Sequence, residues 1–193
     1  AAATAGAASA VKVTPHATIP DVLLIEPVVH QDERGFFLES WHRKRLASEG
    51  LVADFVQDNH SRSRRGTLRG LHYQLESPQG KLVRVVHGEV YDVAVDLRRS
   101  SPTFRQWVQQ GLSSENHKQL WIPPGFGHGF YVLSETADLV YKCTTYYSAG
   151  HDRTVRWNDP DLAIDWPLPE SREPILSAKD ASAPLLRDAQ IYP

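Results

Sequence analysis

The sequence predicts an all-β fold, two antiparallel sheets packed face to face with a few short helices, and three observations carry that prediction. Strand-like runs rich in β-branched and aromatic residues recur at roughly ten-residue spacing after residue 20. Turn sequences punctuate them: DERG at 32–35, SPQG at 77–80, HGE at 87–89, SSP at 100–102 and PPG at 123–125. VYDVAVDLR (90–98) alternates strictly, with Tyr91, Val93, Val95 and Leu97 on one face and Asp92, Asp96 and Arg98 on the other, as a strand with one core face does.

Along the chain, AAATAGAASA (1–10) lacks the basic and continuous apolar parts of a secretory signal and is expected to be a disordered or expression-derived tail. Residues 11–193 are expected to form a single domain, a length that suits one sizeable β core. DVLLIEPVV (21–29) and FFLESW (36–41) flank the DERG turn, and WHRKRLASEG (41–50) reads as the one helix, stopped by Gly50. DFVQDNHS, GTLRGLHYQL, KLVRVV, EVYDVAVDL, FRQWVQQGL, KQLWIPP, HGFYVLS and ADLVYKCTTYY follow as strands, with SPQG joining 68–74 to 81–86 as a hairpin. From residue 158 the periodicity fades and Pro160, Pro167, Pro169, Pro174 and Pro184 accumulate, which predicts a wrapping segment instead of a second domain.

Composition removes several classes of function. A net charge of −2, from 21 basic and 23 acidic residues, provides no field for nucleic acid. No apolar run approaches the roughly 18 residues of a membrane span. A single cysteine, Cys143, excludes an internal disulfide and a multi-cysteine zinc site and suits a reducing cytoplasm; in its apolar context it reads as a packing residue.

The chemistry concentrates in three stretches. Period-two counting puts Leu68, Gly70, His72 and Gln74 on one face of GTLRGLHYQL and Arg69, Leu71 and Tyr73 on the other. Lys81 shares a face with Val83 and Val85, and hairpin pairing would bring it near His72. A histidine and a lysine in one apolar pocket are costly unless an anion or dipole lies between them, although His72 alone is also readable as a hydrogen-bonded core residue. In PPGFGHGF, His128 stands between glycines that leave room for a ligand. Pro123, Gly125 and His128 are spaced as in the second half-motif of the cupin superfamily, whose members are jelly-roll barrels. The metal-binding first half-motif needs His-x-His, whereas this chain has His72-Tyr73-Gln74, so no metal is expected. In LVYKCTTYY, Tyr141, Cys143 and Thr145 share a face, and a phenol there, beside a cation, is expected to have its pKa lowered from about 10.

The ordered combination of DERGFFLESW, FVQDNHS, LRGLHYQ, QGKLVRV, YDVAVDLR, SPTF, WIPPGFGHGF, YKCTTYY, WNDPDLAIDWP and LSAKD resembles the dTDP-4-dehydrorhamnose 3,5-epimerase family over nearly the whole chain after residue 20. The resemblance implies a cupin-like double-stranded β-helix, or jelly-roll sandwich. It also implies a cofactor-independent isomerase that inverts C3 and C5 of dTDP-4-dehydro-6-deoxy-D-glucose in dTDP-L-rhamnose biosynthesis. His72 matches the family's base, Tyr141 its acid, Lys81 the group at the enolate oxygen and Asp180 the carboxylate that orients the base. Arg69 matches a phosphate ligand, and its presence in the same pocket as His72 requires either a bulge at Gly70 or a twist of the strand at the rim. Arg34, Glu39, Gln57, Asn59, His128 and Lys179 match further substrate contacts. Asp152, one methylene shorter, stands where a ligand-contacting glutamate is common in the family, and a water-bridged contact is the expectation there. A homodimer, no nucleic-acid or membrane partner and a cytoplasmic setting complete the implied picture. The competing readings are a single-centre epimerase, a metal-dependent cupin and a non-catalytic sugar-nucleotide binder.

Overall fold

The computed structural model describes residues 11–170 and 172–193; the expectation for the tail at 1–10 lies outside them. In chain order the elements are β1 (Lys12–Pro15), β2 (Leu23–Glu26), β3 (Val29–Asp32), β4 (Gly35–Leu38), α1 (Arg43–Ser48), β5 (Gln57–Arg64), β6 (Leu68–Gln74), β7 (Lys81–His87), β8 (Glu89–Asp96), β9 (Trp107–Ser113), β10 (Gln119–Ile122), β11 (Phe126–Val132), β12 (Thr136–Cys143), β13 (Asp152–Thr154) and α2 (Ala178–Ala181). A six-stranded sheet runs β1-β2-β10-β7-β12-β5 and a five-stranded sheet runs β13-β6-β11-β8-β9; β3 and β4 pair only with each other. The pairings between these strands are antiparallel, and the fold is the expected all-β jelly-roll sandwich.

Between the sheets lies a core built from both inner faces, with Val83, Val85, Leu120, Ile122 and Leu139 meeting Val90, Ala94, Leu112, Phe130 and Val132. Each fully buried aliphatic side chain there contributes roughly 1.5–3 kcal/mol. A second cluster covers the outside of the five-stranded sheet, where Leu68, Leu71, Tyr73, Val93, Val95 and Leu97 pack under Val155, Trp157, Leu162, Trp166 and Leu186 of the C-terminal segment. This part of the chain lies over the outer face of the five-stranded sheet as a flap. It also corrects the reading of 90–98: both faces of β8 are buried, because the flap covers the face that an open sheet would leave to solvent.

Two local expectations also change. The β6 and β7 strands do not form a hairpin; SPQG carries the chain from one sheet to the other, so Lys81 faces the five-stranded sheet across the sandwich. The run 21–29 splits around Pro27 into β2 and the start of β3, and β1 precedes the region where strand signals were read. The helix forms as expected but short, with His42 capping it through Nδ1 and Gly50 at φ +99° beyond its end.

Candidate active site

The open end of the sandwich, where β5, β7 and β12 face β6, β11 and β13, collects the titratable side chains. On the six-stranded sheet, alternation sends Lys81 inward with Val83 and Val85, and Tyr141 inward with Leu139 and Cys143; Lys81 Nζ lies 5.7 Å from the Tyr141 ring centroid. Burial lowers the pKa of Lys81, partly offset by Cys143, Asp152 and Asp92, and the ammonium makes no hydrogen bond to a described residue. Tyr141 departs from expectation. Burial pushes its phenol pKa up, Cys143 adds to the rise, and Asn59 and Arg69 pull the other way without reversing it. The phenol thus keeps its proton at neutral pH.

On the five-stranded sheet the pairing of β6 with β11 slips: His72 opposes His128 and Arg69 opposes Phe130, so Gly70 and Leu71 together face Gly129. This bulge reverses the alternation predicted for the strand. Leu68, Leu71 and Tyr73 all enter the outer cluster, while Arg69 turns inward to Ser63 of β5. Gly70 is obligatory here: φ is +135°, and a Cβ would sit 2.5 Å from Gly129 Cα. The glycines around His128 serve packing and leave no ligand space, since a Cβ on Gly127 would meet Leu97 at 3.0 Å and one on Gly129 the carbonyl of Arg69 at 2.9 Å.

His72 Nε2 lies 2.6 Å from Asp180 Oδ1. With the carboxylate accepting from Nε2–H, Nδ1 is the nitrogen left free to take a proton. Asp180 is delivered by α2, whose N-cap Ser177 accepts from the Asp180 amide. Burial pushes the Asp180 carboxyl up, but the hydrogen bond and charge of His72, with Ser177 and Lys179, more than offset it and leave its pKa below the ordinary value. One strand over, His128 Nε2 meets Asp92 Oδ2 at 2.8 Å, deep in the sandwich. Asp92 Oδ1 and Thr154 Oγ1 are buried without a hydrogen-bond partner among the described residues, and cross-strand register puts Thr154, His72 and His128 in one row.

The rim is a polar network. Lys179 and the Tyr147 hydroxyl both bond Asp152 Oδ2, Gln57 accepts from the Tyr147 amide and donates to Asn59, and Asn59 reaches Cys143 Sγ at 3.5 Å. Asp152 is thus a held carboxylate, engaged by protein groups. Gln74 is committed to Ser77, Tyr146 and Ser148, so the His72–Tyr73–Gln74 stretch offers no free donor set for a metal. Two predicted residues stand elsewhere. Arg34 pairs with Asp32 at the tip of the β3–β4 hairpin and Glu39 pairs with Arg45 of α1, and no contact links either to His72, Lys81 or Tyr141. The sequence does not mark Asp92, Tyr147 or Thr154 as site residues; the one signal is Asp92 lying between Tyr91 and Val93 near the middle of β8.

The chain matches the family model described as dTDP-4-dehydrorhamnose 3,5-epimerase over residues 16–188. It is 56% identical over 176 residues to the dTDP-4-dehydrorhamnose 3,5-epimerase of Pseudomonas aeruginosa, covering 91% of this chain and 96% of that one. It superposes with a TM-score of 0.89 and 53% identity on the Legionella pneumophila dTDP-6-deoxy-D-glucose-3,5-epimerase solved with dTDP-4-keto-L-rhamnose, covering 93% of this chain and 95% of that one. A 3′-monoepimerase from Streptomyces bikiniensis in complex with dTDP-quinovose is more distant, at 36% identity and a TM-score of 0.83, covering 90% and 87%. With matches of that extent running through both sheets and the flap, the chain belongs to the dTDP-4-dehydrorhamnose 3,5-epimerase family.

Proposed function

We propose that this enzyme inverts C3 and C5 of dTDP-4-dehydro-6-deoxy-D-glucose, without a cofactor, to give dTDP-4-dehydro-L-rhamnose in dTDP-L-rhamnose biosynthesis. Both carbons flank the C4 ketone, so each inversion is removal of an α-proton to give an enolate, followed by protonation from the other face. The observation that carries the assignment of roles is His72 of one sheet, paired with Asp180 of α2, facing Lys81 and a protonated Tyr141 of the opposite sheet. His72 Nδ1 takes the proton, Asp180 holds the ring in the required tautomer, Tyr141 returns a proton across the sugar ring, and the Lys81 ammonium faces the enolate oxygen. Positioned acid–base groups give about 10²–10⁴ in rate each, and an oxyanion donor roughly 3–4 kcal/mol. Arg69 and Lys179 supply positive charge toward the diphosphate, with Gln57, Asn59, His128 and Asp152 shaping the nucleotide and sugar subsites.

Proton NMR of the substrate in D₂O tests this reading. Exchange at both C3 and C5 with a rhamno-configured product is the expected result; exchange at one carbon makes the protein a single-centre epimerase, and binding without exchange makes it a binder.

A homodimer in the cytoplasm is the setting we favour. The β3–β4 hairpin joins neither sheet and exposes Phe36 at 59% and Phe37 at 70%, and a cavity of about 290 Å³ lined by Asp58, Arg84, Gln119 and Lys142 opens on the outer face of the six-stranded sheet. Both features suit cover by a second copy. Light scattering gives a dimeric mass under this reading, and Phe36→Ser/Phe37→Ser lowers it to that of a monomer. The lone Cys143, buried with its thiol pKa pushed up, suits a reducing compartment, and among the described residues no helix is long and apolar enough to cross a membrane.

A further inference from the structure

We propose that Ser63 is a positioning residue for nucleotide binding, its hydroxyl fixing the Arg69 guanidinium so that one edge of it faces the cleft for a diphosphate. The inference rests on the reading of the chain as a dTDP-sugar enzyme with Arg69 on the phosphates. It begins with an anomaly in β5. Where β7 and β12 send Val83, Val85 and Leu139 into the sandwich, the inward row of β5 is Gln57, Asn59, Ser61 and Ser63, polar throughout. A polar row facing inward needs partners. Gln57 and Asn59 find theirs in the rim network, and Ser63, only 6% exposed, finds Arg69.

The geometry of that contact is directional. Arg69 Nε donates to Ser63 Oγ at 3.0 Å and Arg69 Nη2 donates to the Arg62 carbonyl at 3.4 Å. Nε–H and one Nη2–H lie along the same edge of the planar guanidinium, so both anchors grip one edge. The other edge, Nη1 with the second Nη2 proton, meets no acceptor among the described residues and is the fork that suits a phosphate bidentately. An unanchored arginine on an exposed position samples many rotamers and loses that freedom when ligand binds. Ser63 removes part of that loss in advance. The two residues belong to opposite sheets and are brought together by the turn through Gly66, at φ +82°, and by the bulge at Gly70 and Leu71.

Titration calorimetry of the full chain with dTDP, paired with steady-state kinetics on the sugar nucleotide, tests the idea. Ser63→Ala should weaken dTDP binding about tenfold, the loss expected for one hydrogen bond to a charged group, and the kinetic loss should fall on KM more than on kcat. Ser63→Thr keeps the hydroxyl and should recover most of it, and Ser63→Cys, close in volume with a weak acceptor, should repeat the loss should alanine disturb packing. In an Arg69→Ala background, Ser63→Ala should add nothing, because Ser63 acts through Arg69. Unchanged dTDP affinity in both Ser63→Ala and Ser63→Cys, additive losses in the double variant, or a loss confined to kcat overturns the inference alone. Unchanged affinity in Arg69→Ala removes the parent reading of Arg69, and the inference with it.

Discussion

His72 and His128 stand opposite each other on neighbouring strands, and each gives Nε2 to a carboxylate, yet the two pairs sit in different surroundings. The His72 side chain is 33% exposed and that of His128 only 7%. Asp180 arrives on a helix outside both sheets, its carboxylate supported by Ser177 and Lys179. Asp92 comes from the strand beside His128, and one of its oxygens is buried without a hydrogen-bond partner among the described residues. The same two functional groups therefore make a solvent-accessible pair at the mouth and a buried pair in the wall. What separates them is depth and the second sphere of partners, not residue type.

The comparison breaks or sharpens on variants of the two pairs. His72→Asn should lower the rate of C3 and C5 exchange in D₂O by at least about 10³, the cost of losing a positioned base, whereas His128→Asn should cost about tenfold. Equal losses would erase the distinction. Asp180→Asn leaves the ring in place but permits the wrong tautomer, so kcat should fall by about 10² to 10⁴, while Asp92→Asn should stay within about tenfold of the parent. Lys81→Met, on the facing sheet, separates chemistry from stability: exchange should drop by about 10², from loss of the oxyanion donor, while the unfolding midpoint in urea rises by an amount worth about 1 kcal/mol, because a buried ammonium is removed from a site where burial already lowers its pKa.

The smallest effect is in pH dependence. Asp180 has a folded pKa below its unfolded value, so its contribution to stability is fully present above about pH 4 and is lost as pH falls through the folded pKa. Part of that lowering comes from His72. Urea unfolding of His72→Asn followed from neutral pH into the acid range should therefore show a shallower loss than the parent over that window.

How much of this was legible in the sequence varies element by element. Strict alternation placed Lys81 with Val83 and Val85 and set Tyr141 with Cys143, because a regular strand has a fixed period of two and nothing interrupts β7 or β12 at those positions. The same rule failed on β6, where one extra residue opposite Gly129 moves Arg69 to the cleft side. A bulge is a property of two strands, and one strand's pattern does not encode it. It also failed on β8, whose second face is buried by a flap that begins some sixty residues later. The phenol of Tyr141 shifted upward because burial outweighed the cations that local reading emphasised.

By itself the sequence determined the all-β class, the position of the turns, the inward registry of Lys81 and Tyr141, and the family to which the chain belongs, since each is carried by short-range periodicity or by an ordered set of motifs. Only the tertiary structure decided that β6 and β7 lie on opposite sheets, that Asp180 meets His72 across 108 residues, that Asp92 meets His128, and that Arg34 and Glu39 sit outside the cleft within the chain. The reason is physical: a hydrogen bond between groups so far apart in sequence depends on how two sheets and a flap close around one core, and that closure is a sum over many buried contacts that no single strand contains.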